Sequence, residues 1–159
     1  MRIGVLSDTH ASRIEQLPDK LIDVLRNVDL IVHLGDYTGK GLLDDLRGLG
    51  DFRGVYGNMD PEVIRESLPE EDIVEVGGIK LGLIHGWGAP GGMRGRIGNC
   101  FKGVDAVLHG HTHIAKNETV DGVLYLNPGS AAGKFPALRK TFGIITIERS
   151  VRGEIIEID

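Results

Sequence analysis

The chain opens with three apolar runs, "RIGVLS" at 2–7, "LIVHLG" at 30–35 and "FRGVYG" at 52–57, and the stretches between them carry apolar residues at helical spacing. Ile14, Leu17, Leu21, Val24 and Leu25 make up the first such stretch, and Leu42, Leu43, Leu46 and Leu49 the second. This alternation constrains the fold more than any other feature. Strands joined through a helix cannot pair as a hairpin; a right-handed crossover lays them parallel, so the first third predicts a βαβαβ unit. The remainder changes character. Gly77-Gly78 separates "DIVEV" from "IKLGLI", Asp121-Gly122 separates "NETV" from "VLYLN", and a short turn containing Arg152-Gly153 separates "FGIITIE" from "EIIEI". Each reads as a hairpin and adds antiparallel strands. Residues 92–102 predict a short helix and "VDAVL" at 104–108 one more buried strand. So many strands in 159 residues predict an α/β fold of two mixed β-sheets packed as a sandwich and flanked by helices, rather than one very wide sheet. No repeat, linker or charge block marks a boundary, so residues 1–159 are read as a single domain.

Composition narrows the function classes. A formal net charge of −5 and a pI near 5.7 leave no broad basic field for a nucleic-acid backbone, so no large nucleic-acid footprint is expected. No apolar run reaches the length of a membrane span, and "MRIGVLSDTH" turns polar too early for a secretory signal, so no membrane association and a cytoplasmic location are expected. Cys100 is the sole cysteine, which rules out an internal disulfide and a cysteine-based zinc site; a metal would be held by nitrogen and oxygen.

The reactive side chains fall where the strands end. Asp8 and His10 follow "IGVLS", Asp36 follows "LIVHLG", Asn58 follows "GVYG", His85 follows "IKLGLI", and His109, His111 and His113 follow "VDAVL". In open α/β sheets the carboxyl ends of strands are where sites form, because the strand fixes the backbone and the loop beyond is free to carry chemistry. Imidazole suits zinc, copper, iron and nickel, and carboxylate suits harder ions such as manganese. Four imidazoles, two carboxylates and an amide exceed what one tetrahedral ion needs. The surplus predicts two ions about 3.5–4 Å apart sharing a carboxylate, as in two-metal hydrolytic sites, with Asp36 the natural bridge.

In order along the chain, "DTH" at 8–10, "GD" at 35–36, "GNMD" at 57–60, "HG" at 85–86, "GHTH" at 110–113 and "NPGS" at 127–130 resemble the motif set of the calcineurin-like metallophosphoesterases, nearest the small YfcE-type phosphodiesterases. The resemblance implies a four-layer αββα arrangement and a metal-dependent phosphoric diester hydrolase. It assigns Asp8, His10 and His113 to one ion, Asn58, His85 and His111 to a second, and Asp36 to both, with Asp36, Asn58 and His85 also closest to the catalytic step. In-line attack on phosphorus by a water or hydroxide between the ions would follow. Family habit points to manganese or nickel, and the donor set also accepts iron, cobalt or zinc. The expected partner is a small phosphodiester, a nucleotide-derived one among the candidates, and homodimers are common in the group. One departure stands out: where many relatives place a histidine after the motif asparagine, as proton donor to the leaving group, this chain has Met59, whose thioether carries no proton. The alternative function is a catalytically silent scaffold of the same fold that binds protein partners, like the retromer subunit that resembles these enzymes. Such scaffolds typically lack a key histidine, whereas all seven positions are filled in this chain.

Other residues carry plainer expectations. His33, inside an apolar strand, reads as a core or supporting histidine, and His109 as one that orients a metal ligand through its other ring nitrogen. Asp60, before Pro61, is open between an ordinary turn residue and a support for Asn58. "GWGAPGGMRGR" at 86–96 lacks the lysine and Ser or Thr of a P-loop and reads first as a flexible rim, with a lesser reading in which Arg94 or Arg96 reaches phosphate and Trp87 stacks on a base. Cys100 reads as a small buried residue.

Overall fold

In the computed structural model, which describes residues 1–158, the βαβαβ unit begins the chain as expected. Strands β1 (Arg2–Leu6), β2 (Leu30–His33) and β3 (Phe52–Gly54) run parallel, joined through α1 (Asp19–Leu25) and α2 (Lys40–Leu49). After the single-turn α3 (Glu62–Arg65) come β4 (Glu71–Val76) and β5 (Ile79–Ile84), then α4 (Met93–Gly98), β6 (Ala106–His109), β7 (Lys116–Val120) and β8 (Val123–Asn127). The closing hairpin, β9 (Lys140–Ile147) and β10 (Val151–Ile158), returns to the first sheet. The two sheets run β10-β9-β1-β2-β3 and β4-β5-β6-β8-β7. Each has parallel strands inside and antiparallel strands at an edge, so both are mixed.

Side-chain alternation decides the layering. Ile3 and Val5 face the second sheet, where they join Leu83, Leu108, Leu126 and Ile145 in an apolar layer between the sheets. Leu6, Ile31 and Phe142 point the other way and take up Leu21, Leu25, Leu43 and Leu46 of α1 and α2. On the far face of the second sheet, Ile84 and Val107 pack against Met93 and Ile97 of α4. The result is four layers, αββα. Among the described residues no helix is long and apolar enough to cross a membrane.

Three local expectations change. The helical stretch over Ile14–Leu25 is two pieces, a 3-10 turn at Ile14–Gln16 and α1, with Pro18 at the N-cap of the second. Proline donates no hydrogen bond and disfavours helical backbone in the residue before it, so the helix breaks there, with Leu17 extended. Secondly, α3, four residues behind Pro61, had no periodic signal. Thirdly, Arg152 and Gly153 lie inside β10, paired with Thr146 and Ile145, and the chain reverses before Val151. Gly153 marks a close approach rather than a turn: a Cβ on it would lie 2.6 Å from Leu126 Cδ1, and one on Gly143 would lie 2.9 Å from Leu126 Cδ2. The other two hairpins turn where expected, with positive φ at Gly77, Gly78, Asp121 and Gly122.

Leu126 is therefore a knob from the second sheet set against two glycines of the first, with no side-chain exposure. Leu126→Ala should lower unfolding free energy by about 2–5 kcal/mol in urea titration, since neither glycine has a side chain that could move into the space.

Candidate metal centre

The C-terminal ends of β1 and β2 lie side by side in one sheet and those of β5 and β6 side by side in the other. The four loops that follow meet over the sandwich edge. Their backbone is unusual. Seven non-glycine residues have positive φ among the described residues, and six of them are Asp8, His10, Asp36, Thr38, His111 and His113. For L-residues that conformation costs roughly 1–2 kcal/mol each, least for Asp, and such strain persists only where surrounding contacts impose it. The contacts are visible. Asp8 N–H donates to Gly35 O at 3.0 Å, His10 N–H to Asp36 O at 2.9 Å, and Gly110 N–H to His85 O at 3.0 Å. Asn127 Nδ2 donates to Gly110 O at 3.0 Å and Ser130 Oγ to Asp8 O at 2.8 Å, which gives the "NPGS" segment its structural task.

All seven residues expected as ligands are brought together. In one group, Asp8, His10, Asp36 and His113 place one donor atom each within 4.8 Å of one another. His113 Nε2 lies 3.2 Å from Asp8 Oδ1 and 3.4 Å from His10 Nε2. In the other, Asn58 Oδ1 lies 3.1 Å from both His85 Nε2 and His111 Nδ1. Asp36 Oδ2 stands between the groups, 3.8 Å from His10 Nε2 and 3.5 Å from His85 Nε2, while its Oδ1 accepts from Met59 N–H.

The histidine ring partners reveal what the centre is suited to hold. His85 Nδ1 faces Leu34 O at 2.6 Å, His111 Nε2 faces Gly88 O at 3.0 Å, and His113 Nδ1 faces the carbonyls of Lys134 and Phe135 at 3.0 Å. A carbonyl only accepts, so each of these nitrogens carries the proton and donates it. The opposite nitrogen of each ring then turns a lone pair inward, the arrangement by which an outer carbonyl orients a metal-binding imidazole. Lone pairs of His85 and His111 converge on the carbonyl oxygen of Asn58, three acceptors with no donor among them. Asp8 Oδ1 is likewise buried with no hydrogen-bond partner. Cations satisfy such a donor set, and its nitrogen and oxygen atoms fit divalent ions. Without them protons must serve: the Asp8 carboxylate raises His113 to about 9, and His85, although burial opposes its charging, is held above its ordinary value by Asp36 and Asp8. An ion entering the centre displaces those protons.

The supporting residues differ from expectation. Asp60 does more than either reading foresaw: it is buried, and its carboxylate accepts the backbone N–H groups of Asp36 at 2.8 Å, Tyr37 at 2.7 Å and Gly57 at 2.7 Å. It thereby clamps the loops after β2 and β3 together, and the side chain it serves is Asp36 more than Asn58. His33 is fully buried, accepting Gly35 N–H at Nδ1 and donating from Nε2 to Thr9 Oγ1, as a supporting residue should. His109 is a correction. Strand alternation puts it with Val107 on the outer face, where it lines a cavity of about 340 Å³ beside α4, with Nδ1 unpartnered. It orients no metal ligand. Arg96 is a second correction to a merely flexible rim: its guanidinium donates to Trp87 O at 3.1 Å, Gly91 O at 3.0 Å and Ala89 O, gathering the glycine-rich loop that carries Gly88 O to His111. Arg94 lies 3.7 Å from Glu118, away from the centre. The Cys100 thiol is part-buried over Arg96 O and pushed up by burial, which suits a structural cysteine.

Asp60→Asn tests the clamp. The amide keeps the shape but turns an NH₂ toward a buried backbone N–H, so a loss of about 1–3 kcal/mol in denaturant titration is expected. Metal affinity measured by calorimetry should fall roughly 10–100-fold.

With that geometry in hand, comparison with known proteins is informative. The family description "Calcineurin-like phosphoesterase superfamily domain" matches residues 1–150. A Methanocaldococcus jannaschii protein named probable metallophosphoesterase is 39% identical over the whole of this chain and 82% of its own length. Among solved structures, a novel archaeal phosphodiesterase superposes with a TM-score of 0.80 at 27% identity, covering 99% of this chain and 100% of that one. Wild-type Vps29 of Entamoeba histolytica, solved with zinc, superposes with a TM-score of 0.75 at 26% identity and 99% coverage of both. The chain belongs to the calcineurin-like phosphoesterase superfamily and shares its αββα fold and its use of divalent metal.

Proposed function

We propose that the protein is a dinuclear metal-dependent phosphodiesterase. The observation that supports this most directly is the inward convergence of histidine lone pairs and carboxylate oxygens into two adjacent groups that share Asp36. Asp8, His10 and His113 would hold one divalent ion, manganese or nickel by family habit, Asn58, His85 and His111 a second, and Asp36 both. When bound, the pair supplies the Lewis acidity that makes water a nucleophile near neutral pH and offsets charge on the phosphoryl oxygens. The chain's own contribution is order. Leu34, Gly88, Lys134 and Phe135 carbonyls fix three imidazoles, and Asp60 fixes the backbone under Asp36, so no donor reorganises as charge develops. Asn58 and His111 lie on the open side, where a small phosphodiester would approach.

Met59 is 62% exposed beside Asn58 and cannot protonate a leaving group. The site therefore suits esters whose leaving oxygen is already a weak base. Catalysis is favoured over a partner-binding scaffold because all seven donors are present and assembled. The likeness to Vps29, named as a vacuolar protein sorting factor, is what speaks for the scaffold. A cytoplasmic location, a nucleotide-derived substrate and a homodimer are parts of the same proposal.

Metal analysis with bis(p-nitrophenyl) phosphate hydrolysis tests it: two ions per chain after loading are expected, and Asp36→Asn should lower kcat/KM by more than the roughly hundredfold lost with an outer supporting group. One ion or none, with full activity in that variant, removes the reading. Met59→His should speed alkyl-leaving diesters relative to p-nitrophenyl ones, by up to the roughly 10²–10⁴-fold that a placed general acid supplies. An unchanged ratio would sink the weak-base argument.

A further inference from the structure

Beside the second donor group lies a recess of about 230 Å³ whose lining includes Asn58 and His85 together with Tyr56, Arg65, Glu70 and Trp87. The two residues nearest the proposed chemistry are thus also its wall, so one substituent of a phosphoryl group seated at the centre has this recess as neighbouring space. Its volume falls below the roughly 300–1,000 Å³ of sites that enclose a whole drug-sized ligand, which leaves room for a single ring system.

The wall chemistry narrows the occupant. Arg65 is committed: Nε donates to Asp60 O and Nη2 to Asn58 O, each at 2.9 Å, and the guanidinium lies 5.4 Å from the centre of the Tyr56 ring. It positions the Asn58 loop, and a second phosphate would find those two donors occupied. Beside the remaining guanidinium N–H groups of Arg65, the recess offers a planar face and an acceptor. Trp87 is 48% exposed, an unusual amount of free indole. Among the described residues Glu70 accepts the Tyr56 hydroxyl, at 3.2 Å on Oε2, which leaves its other oxygen to take donors. A flat ring with N–H groups on its edge complements both surfaces, whereas an alkyl group would meet a carboxylate it cannot satisfy.

Resting on the phosphodiesterase reading for the position of the phosphoryl group, we infer that this recess binds a donor-edged nucleobase of the substrate, stacked on Trp87 and hydrogen-bonded to Glu70. Guanine, with its ring N–H and amino group adjacent, presents the best-matched edge. Substrates are then nucleoside phosphodiesters, and Trp87 and Glu70 determine specificity.

Trp87 is the only tryptophan in the chain, so its emission reports the recess directly. GMP and ribose 5-phosphate, which share a phosphate monoester and differ by the base, are titrated into the zinc-loaded protein. GMP should quench Trp87 and bind at least roughly fivefold more tightly, the low end of base–aromatic stacking. Glu70→Ala should reduce that preference at least about threefold while leaving ribose 5-phosphate affinity unchanged. Equal affinities, or GMP binding with no change in emission, overturn the inference. Diester hydrolysis and metal content measured on the same preparation separate the two failures. An active two-ion enzyme without base preference loses only the recess assignment, whereas an inactive protein that still binds GMP through Trp87 loses only the catalytic reading.

Discussion

Two buried carboxylates of the same charge, Asp8 and Asp36, meet at the edge of the sandwich, and the surrounding structure is arranged to make that tolerable. A buried anion is costly unless paired. Among the described residues their ion-pair partners are imidazoles, His10 and His113 on one side and His85 on the other. The outer nitrogens of His85 and His113 are tied to backbone carbonyls, which turns their inner nitrogens toward the carboxylates. The centre is thereby built for cations and holds protons in their absence.

Such convergence is not what strand ends do unaided. Alternate residues of "DTH" and "HTH" must reach one focus, and left-handed backbone at Asp8, His10, His111 and His113 turns them there. At roughly 1–2 kcal/mol per residue, the strain with Asp36 included is comparable in order to the net stability of a domain. Asp60, Asn127, Ser130 and Arg96 sustain it, each by bonding to backbone rather than to the side chains of the candidate ligands. The glycines between obey the same geometry: a Cβ on Gly57 would lie 2.2 Å from Asp36 Oδ1.

The candidate ligand set was legible because its chemistry is local. A histidine or aspartate directly after an apolar strand is visible in one dimension, and the ordered motifs supplied the pairing. The supports were less legible. Asp60 sits in an unremarkable turn, and nothing in "NMDPE" says that its carboxylate reaches back 24 residues to the N–H of Asp36. Arg96 was masked by a glycine-rich neighbourhood that reads as loose, and His109 was misread because its strand ends at His109 and the left-handed backbone at His111 and His113 breaks the alternation that would have put the three on one side.

The sequence by itself determined the βαβαβ start and the two-sheet α/β class and named the seven candidate donors, since periodicity and residue chemistry need no knowledge of neighbours. Only the tertiary structure decided which ring nitrogen faces inward, which loops Asp60 binds together and why Gly153 lies within a strand. Those outcomes depend on atoms far apart in the chain, such as Leu126 against Gly143 and Gly153, and contact at that separation leaves no periodic trace in a sequence.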